Sequence, residues 1–230
     1  MFLSRLRLNP RLKEVRRDLA NPYEMHRTLS RAVSEALTRN EERMLWRLEP
    51  TRPTELPIVL VQTLTEPDWS ALPLGYAEEA EYKPFCPVLK EGQVLRFRLL
   101  ANPVKRARDK GKRVALKTPE EKLRWLGHKL AQGGMELVET SEGPLALIQR
   151  DTFLEVFRSA KAREVFRSAK AREVSDVLPE GNTTKKIRLQ ATLFEGVLRI
   201  KDPEQAVETL KRGIGPAKGL GLGLLSLRRL

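Results

Sequence analysis

The chain is poor in the residues that make covalent staples and metal cages. Cys86 is the only cysteine in 230 residues, so no disulfide can form within the chain. His26 and His128 are the only histidines, too few to complete a Cys/His zinc site. No run of Asp and Glu demands a magnesium ion, and no metal or cofactor is expected. No apolar stretch reaches 18 residues, and Arg5 and Arg7 interrupt the apolar run at the N-terminus. Neither a membrane span nor a secretion signal is therefore expected, and the cytoplasm is the expected compartment. The pattern GxxxxGK[ST] is also missing, which argues against a nucleotide cofactor held in a P-loop.

Positive charge is abundant. Lys and Arg total 43 against 30 Asp and Glu, a net charge of +13. Such an imbalance favours a polyanionic partner, most often nucleic acid. Arg outnumbers Lys, which suits bidentate contacts to phosphate. Adaptation to heat could account for many charges, but not for their one-sided sign. Aromatic residues are only 6% of the chain, and no aromatic platform of the kind that stacks single-stranded bases is evident. That favours a partner read by shape and phosphate contacts over a single strand held by stacking.

Periodicity places the elements. Met1–Leu8 alternates apolar and basic residues and reads as a strand. Arg11–Leu19 reads as a basic connector. A helix is expected from Asn21 to about Asn40. Strands follow at Leu45–Leu48 and Ile58–Leu64, then a turn at Asp68–Leu72. Gly75–Lys90 reads as irregular, and Val94–Leu100 as the strand that closes the first half. After a basic linker, Asn102–Arg113, the pattern repeats. Val114–Leu116 is a short strand, and Thr118-Pro119-Glu120-Glu121 starts a helix running to Gly133-Gly134. Met135–Val138 and Leu145–Phe157 are strands, Ile187–Ile200 a strand pair bent near Gly196. Asp202-Pro203-Glu204 caps a helix through Leu210, and Leu224–Leu227 is the last strand. The expected fold is α+β: two tandem ferredoxin-like βαββαβ domains, residues 1–107 and 108–230. Glu155–Arg163 reads EVFRSAKAR, and Glu164–Arg172 repeats it letter for letter. The copy is too short for a solenoid repeat, and reads as an enlarged, basic hairpin tip.

The stretch 21–30 carries the chemistry. Asn21 is a good N-cap, Pro22 fits the first helical position, and Glu24 can close a capping-box-like pair. Met25, Leu29, Ala32, Val33 and Ala36 form an apolar stripe at helical spacing. His26 falls at the edge of that stripe, with Tyr23, Arg27 and Ser30 just beyond it. An imidazole, a phenol and a guanidinium are thus presented side by side. An imidazole titrates near neutral pH and can give or take a proton. Arg27 and Arg31 can stabilise the extra charge of a pentacoordinate phosphate. His128 reads as a solvated bystander and Cys86 as packing.

Three stretches together resemble the CasE family of CRISPR RNA-processing endoribonucleases of the Cascade complex. They are Asn-Pro-Tyr-Glu-Met-His-Arg at 21–27, Phe153-Leu154-Glu155-Val156, and Gly213-x-Gly215-x-x-Lys218-x-x-Gly221-x-Gly223-Leu224-Leu225. The resemblance covers nearly the whole chain outside the duplicated segment. It implies metal-independent cleavage of CRISPR precursor RNA at the base of the repeat hairpin, by attack of the 2′-OH. The products are a 2′,3′-cyclic phosphate (or 2′-phosphate) and a 5′-OH. It also implies that the RNA stays bound beside other Cascade subunits. The family's catalytic tyrosine and histidine fall on Tyr23 and His26. A basic residue that is lysine in close relatives falls on Arg31, which can hold phosphate but not release a proton. RNA contacts are expected from Arg158, Lys161, Arg163, Lys185, Lys186 and Arg188, and from Gly215, Lys218 and Gly221 of the glycine-rich loop. The competing expectations are a non-catalytic RNA-binding protein of the same fold and a structural Cascade subunit; neither needs the Tyr23/His26 pair.

Overall fold

The computed structural model describes residues 1–34, 43–52, 54–106, 113–141, 143–158 and 185–230, and of 157, 158, 185 and 186 the backbone. The first sheet contains β1 (Phe2–Leu8), β2 (Leu45–Leu48), β3 (Ile58–Thr63) and β4 (Ala77–Pro84), in the order β2-β3-β1-β4 and antiparallel throughout. Alternation along β1 turns Ser4, Leu6 and Leu8 inward. Arg5 and Arg7 face the other way, and each meets a glutamate of β4, Glu81 and Glu79, at 2.8 Å. The inward face is covered by α1 (Lys13–Ala20) and α2 (Pro22–Leu29), whose Val15, Met25 and Leu29 pack on Leu6, Leu8, Val59 and Val61. Buried Asp18 ties both helices to the sheet. It accepts from the Tyr76 hydroxyl at 2.7 Å and from Arg17 Nε at 2.8 Å, and the same Tyr76 oxygen lies 3.3 Å from Met25 Sδ.

The second sheet is built from β5 (Val94–Ala101), β11 (Ala146–Arg158), β12 (Lys185–Ile200) and β13 (Leu225–Arg229), ordered β11-β12-β5-β13. A short β8 (Met135–Leu137) pairs with the far end of β12. Its helices are α3 (Pro119–Ala131) and α4 (Pro203–Arg212). Thr118 and Glu121 form a complete capping box on α3, and Asp202 accepts from the Gln205 N–H at the start of α4. Trp125, Leu126 and Leu130 of α3, with Ala206 and Leu210 of α4, bury Leu95, Phe97, Leu99, Phe194 and Leu198 of the sheet. Two further hairpins are small: β6 (Val104–Arg106) with β7 (Arg113–Ala115), and β9 (Glu139–Thr140) with β10 (Gly143–Pro144).

Both sheets thus follow the ferredoxin-like strand order, and the fold class is as expected. Several assignments within it change. Val94–Ala101 pairs with β12 and β13, not with the first sheet, so the boundary expected at 107/108 cuts through the second unit. Its alternation marks a strand but says nothing of its partner. The strand that completes the first sheet is Ala77–Pro84, inside the stretch expected to be irregular. As an edge strand it is polar and exposed along nearly its whole length, so it lacks the apolar alternation that reveals a strand. Arg11–Leu19 is no connector, since Lys13–Ala20 is helical. Val114–Leu116 does not open the second sheet; β7 belongs to the small β6–β7 hairpin. Ile187–Ile200 is part of one continuous strand, in which Gly196 lets Leu145 O and Phe97 approach too closely for a side chain. Cys86 is exposed rather than packed.

The two sheets are riveted by Arg47 of β2, a side chain only 2% exposed. Its guanidinium donates to Leu224 O at 3.0 Å, Arg98 O at 3.2 Å and Ser226 Oγ at 2.9 Å in the second unit. It also donates to Glu49 Oε1 at 2.7 Å, while Glu49 accepts from Arg98 at 2.9 Å and Arg98 binds Glu195. Gln62 of β3 adds a bond to Leu210 O at 2.8 Å.

Candidate active site at the seam of the two units

The helix that begins at Asn21 forms as expected. Asn21 Oδ1 accepts from the Tyr23 N–H at 3.2 Å, and Pro22 occupies the first turn. The α-helix ends at Leu29 and tightens into a 3-10 turn over Ser30–Val33; Ala36 and the stretch to Asn40 lie outside the described residues. The Glu24 carboxylate turns to cations, 3.3 Å from Arg27 and 3.8 Å from Arg17.

What lies over this helix comes from the other unit. Tyr23 is buried, 4% exposed, against Val156 of β11, Ile187 of β12 and Leu220. His26 packs on Gly219: a Cβ added there would stand 3.3 Å from Nε2 and 3.5 Å from Cδ2. Gly219 and Leu220 belong to one 3-10 turn, Lys218–Leu220, so a single glycine-rich segment covers both rings. That segment is anchored to β5 through Gly223 N–H to Leu100 O at 2.7 Å. Gly221 has φ +79°, and a Cβ there would come within 2.8 Å of the Trp46 indole. The expected Gly221 position is thus buried packing that lets the loop settle on the first unit.

Burial lowers the His26 pKa from its ordinary 6.5 to about 4. The imidazole is neutral at pH 7, with a ring nitrogen able to accept a proton. Arg27 and Arg31 are both exposed, and Arg27 leans on Glu24. Of the four expected catalytic residues, the structure seats Tyr23 and His26 together under the loop and leaves the two arginines on the solvent side. Gly215 and Lys218 line a cleft on the opposite side of that loop. Half-burial and the neighbouring Arg43, Arg212 and Lys129 lower the Lys218 pKa. Arg188 is exposed and stacks over Phe153 with its guanidinium carbon 4.0 Å from the ring centroid. Arg158 pairs with Lys185 across β11 and β12, next to Lys186, in the backbone register. Lys161, Arg163 and the rest of the duplicated segment beyond Arg158 lie outside the described residues. The sequence reading missed Gly219 as a contact of the imidazole; its place among five glycines was the only signal. His128 is exposed. Among the described residues no group of three or more His, Cys, Asp or Glu could hold a metal ion, and no helix is long and apolar enough to cross a membrane.

A family described as CRISPR associated protein matches residues 1–229. The chain belongs to this family. It is 56% identical over 227 residues to the CRISPR-associated endoribonuclease Cse3 of Thermus thermophilus, covering 99% of each chain. A solved structure of Thermus thermophilus Cse3 bound to an RNA representing a pre-cleavage complex superposes with a TM-score of 0.83, at 54% identity and 98% coverage of both chains. The Cascade subunit CasE of Escherichia coli is 29% identical over 204 residues, 81% of this chain and 89% of that one. Membership in the family fits a site whose two rings stand at the meeting of the two units.

Proposed function

We propose that this chain is an endoribonuclease that cuts CRISPR precursor RNA at the base of the repeat hairpin and stays with the product in a Cascade-type complex. The observation that carries the reading is the neutral, loop-covered imidazole of His26 one helical turn from the Tyr23 phenol. The Cse3 and CasE relatives support the substrate and the assembly.

RNA brings its own nucleophile. His26 takes the proton of the 2′-OH beside the scissile phosphate, and the 2′-oxygen bonds to phosphorus. The bond from phosphorus to the 5′-oxygen breaks, and that oxygen takes a proton from the Tyr23 phenol, which is reprotonated through solvent as His26 gives up the proton it took. The products are a 2′,3′-cyclic phosphate and a 5′-OH, with atoms and protons balanced. The neutral form that a base requires prevails in His26 at pH 7, while burial weakens it as a proton acceptor. Arg27 and Arg31, exposed on the same helix and the turn that follows it, offset the charge that gathers on the phosphoryl oxygens. The reaction as written needs no metal. The test is incubation with a panel of repeat hairpin RNAs, with and without EDTA, followed by end-group analysis. Cleavage that persists in EDTA and leaves cyclic-phosphate and 5′-OH ends is the expected result. Loss of cleavage in EDTA, or 5′-phosphate ends, overturns the mechanism.

A further inference from the structure

The loop that covers His26 has a second face. On that side lies a cleft of about 450 Å³ between the ends of α3 and α4, the β6–β7 hairpin and residues 213–218. Among the described residues six cations line it: Lys105, Arg106, Arg113, Lys129, Arg212 and Lys218. No carboxylate is among the described lining residues. Some of this charge has a partner. Lys105 meets Glu121 at 2.9 Å, Arg212 lies 4.0 Å from Glu208, and Lys129 donates to Gln132 at 2.9 Å. Lys129 and Arg212 also complement the negative ends of their helices.

Among the described residues no carboxylate partner answers Arg106, Arg113 or Lys218. Arg106 and Arg113 are direct cross-strand partners, a like-charge pair that disfavours its own hairpin. Lys218 is half-buried, and among the described residues the charged groups that act on it, Arg43, Arg212 and Lys129, are all cations. Such an arrangement is stable when an anion joins it. The volume is that of a pocket for one small ligand, far too small to admit an RNA duplex. Trp125, Ile214 and Pro216 give the floor an apolar part, against which a sugar or base can lie.

We propose that this cleft binds a short single-stranded segment of RNA through its phosphodiesters, a segment that flanks the hairpin and reaches the catalytic rings across the Lys218-Gly219 turn. Lys218 faces the cleft and the adjacent Gly219 touches His26, so one turn of the loop separates the two sites. The inference rests on the RNA-cleaving reading and adds where the unpaired strand goes.

The test uses the full-length protein and two RNAs carrying a 2′-deoxy nucleotide at the scissile position, so that neither is cut. One is the repeat hairpin with both flanks, the other the hairpin trimmed to its stem. Combined Arg106→Gln and Arg113→Gln substitution should weaken binding of the flanked RNA roughly tenfold, with less than a twofold change for the trimmed one. The slope of log affinity against log salt should fall by about 1.4 for the flanked RNA, from ~0.7 per lost single-strand phosphate contact. Lys129→Gln, on α3 rather than on the hairpin, should repeat the selective loss and guards against a misfolded β6–β7. Equal losses on both RNAs, or none on either, sink the cleft proposal. Failure of the wild-type protein to cut any unmodified hairpin sinks the RNA-processing reading instead, and the binding comparison still stands on its own.

Discussion

Among the described residues the first sheet is covered by two eight-residue helices and the 3-10 turns Ser30–Val33 and Trp69–Ala71, the second by helices of 13 and 10 residues. Strand order is the same in both. The second unit carries the larger apolar core and the complete capping box, whereas the first carries the titratable rings. Neither unit holds a finished site. The first supplies Tyr23 and His26; the second supplies Leu220, against which Tyr23 is buried, and Gly219, which lies on the half-buried His26. A duplicated topology has thus been divided into a part that carries the two candidate rings and a part that covers them.

The division can be broken from either side. The largest effect is expected in the first unit. His26→Ala should lower single-turnover cleavage by about 10³-fold, within the range for a lost general base, while RNA affinity stays within twofold. Cleavage at the wild-type rate in that variant would leave the site elsewhere. The second unit can be made to spoil the same ring without touching α2. Gly219→Val drives methyl groups into the imidazole, and a displaced ring should cost about 10²-fold in rate. If rate is lost in step with RNA binding instead, Gly219 is a substrate contact and not a wall for His26.

A third substitution cuts the rivet. Arg47→Met strips the buried guanidinium from Glu49 and from Leu224 O and Ser226, at a cost of about 3 kcal/mol. Thermal melting should fall by roughly 6–12 °C at this chain length. Unchanged melting would mean that the seam is held by packing alone. Acidity probes the same seam more gently. His26 has a folded pKa of about 4 against an ordinary 6.5, so the unfolded chain binds more protons between those values. The contribution to stability is whole above pH 6.5 and is lost as pH falls through 4, whereas kcat/KM should hold down to about 4 and fall below it with a slope of one. A kcat/KM that instead rises on acidification toward pH 4 would assign His26 the acid role. The smallest effect is expected far from the seam. Thr118→Ala removes the α3 cap for about 1 kcal/mol, and cleavage at 25 °C should not move.

Much of the architecture was legible because burial leaves a periodic trace. β1, β3, β11 and α3 stood out by alternation or by capping residues, and the Asn21 helix start was marked by three residues close together. β4 was not legible, since an exposed edge strand rich in Glu has no apolar face to show. α1 was hidden for a related reason: Val15 and Asp18 are its only buried residues, and a buried aspartate looks polar in a sequence. The pairing of β5 was misassigned because alternation reports one face of a strand and not its neighbour. In the site, the Tyr23/His26 spacing was visible, and the tight fit of Gly219 on His26 was not.

The amino-acid sequence alone determined the local geometry of the helix that starts at Asn21, the cationic character of the molecule and the want of ligands for a disulfide or a zinc cage. These follow from capping, period and count, which neighbouring residues or simple totals decide. Tertiary structure decided which sheet β5 joins, that the imidazole is held neutral, and that the loop between Gly213 and Gly223 lies on His26. Contacts between distant parts of the chain depend on which of many similar surfaces finally meet, and a desolvated ring acquires its pKa only from the neighbours that close over it.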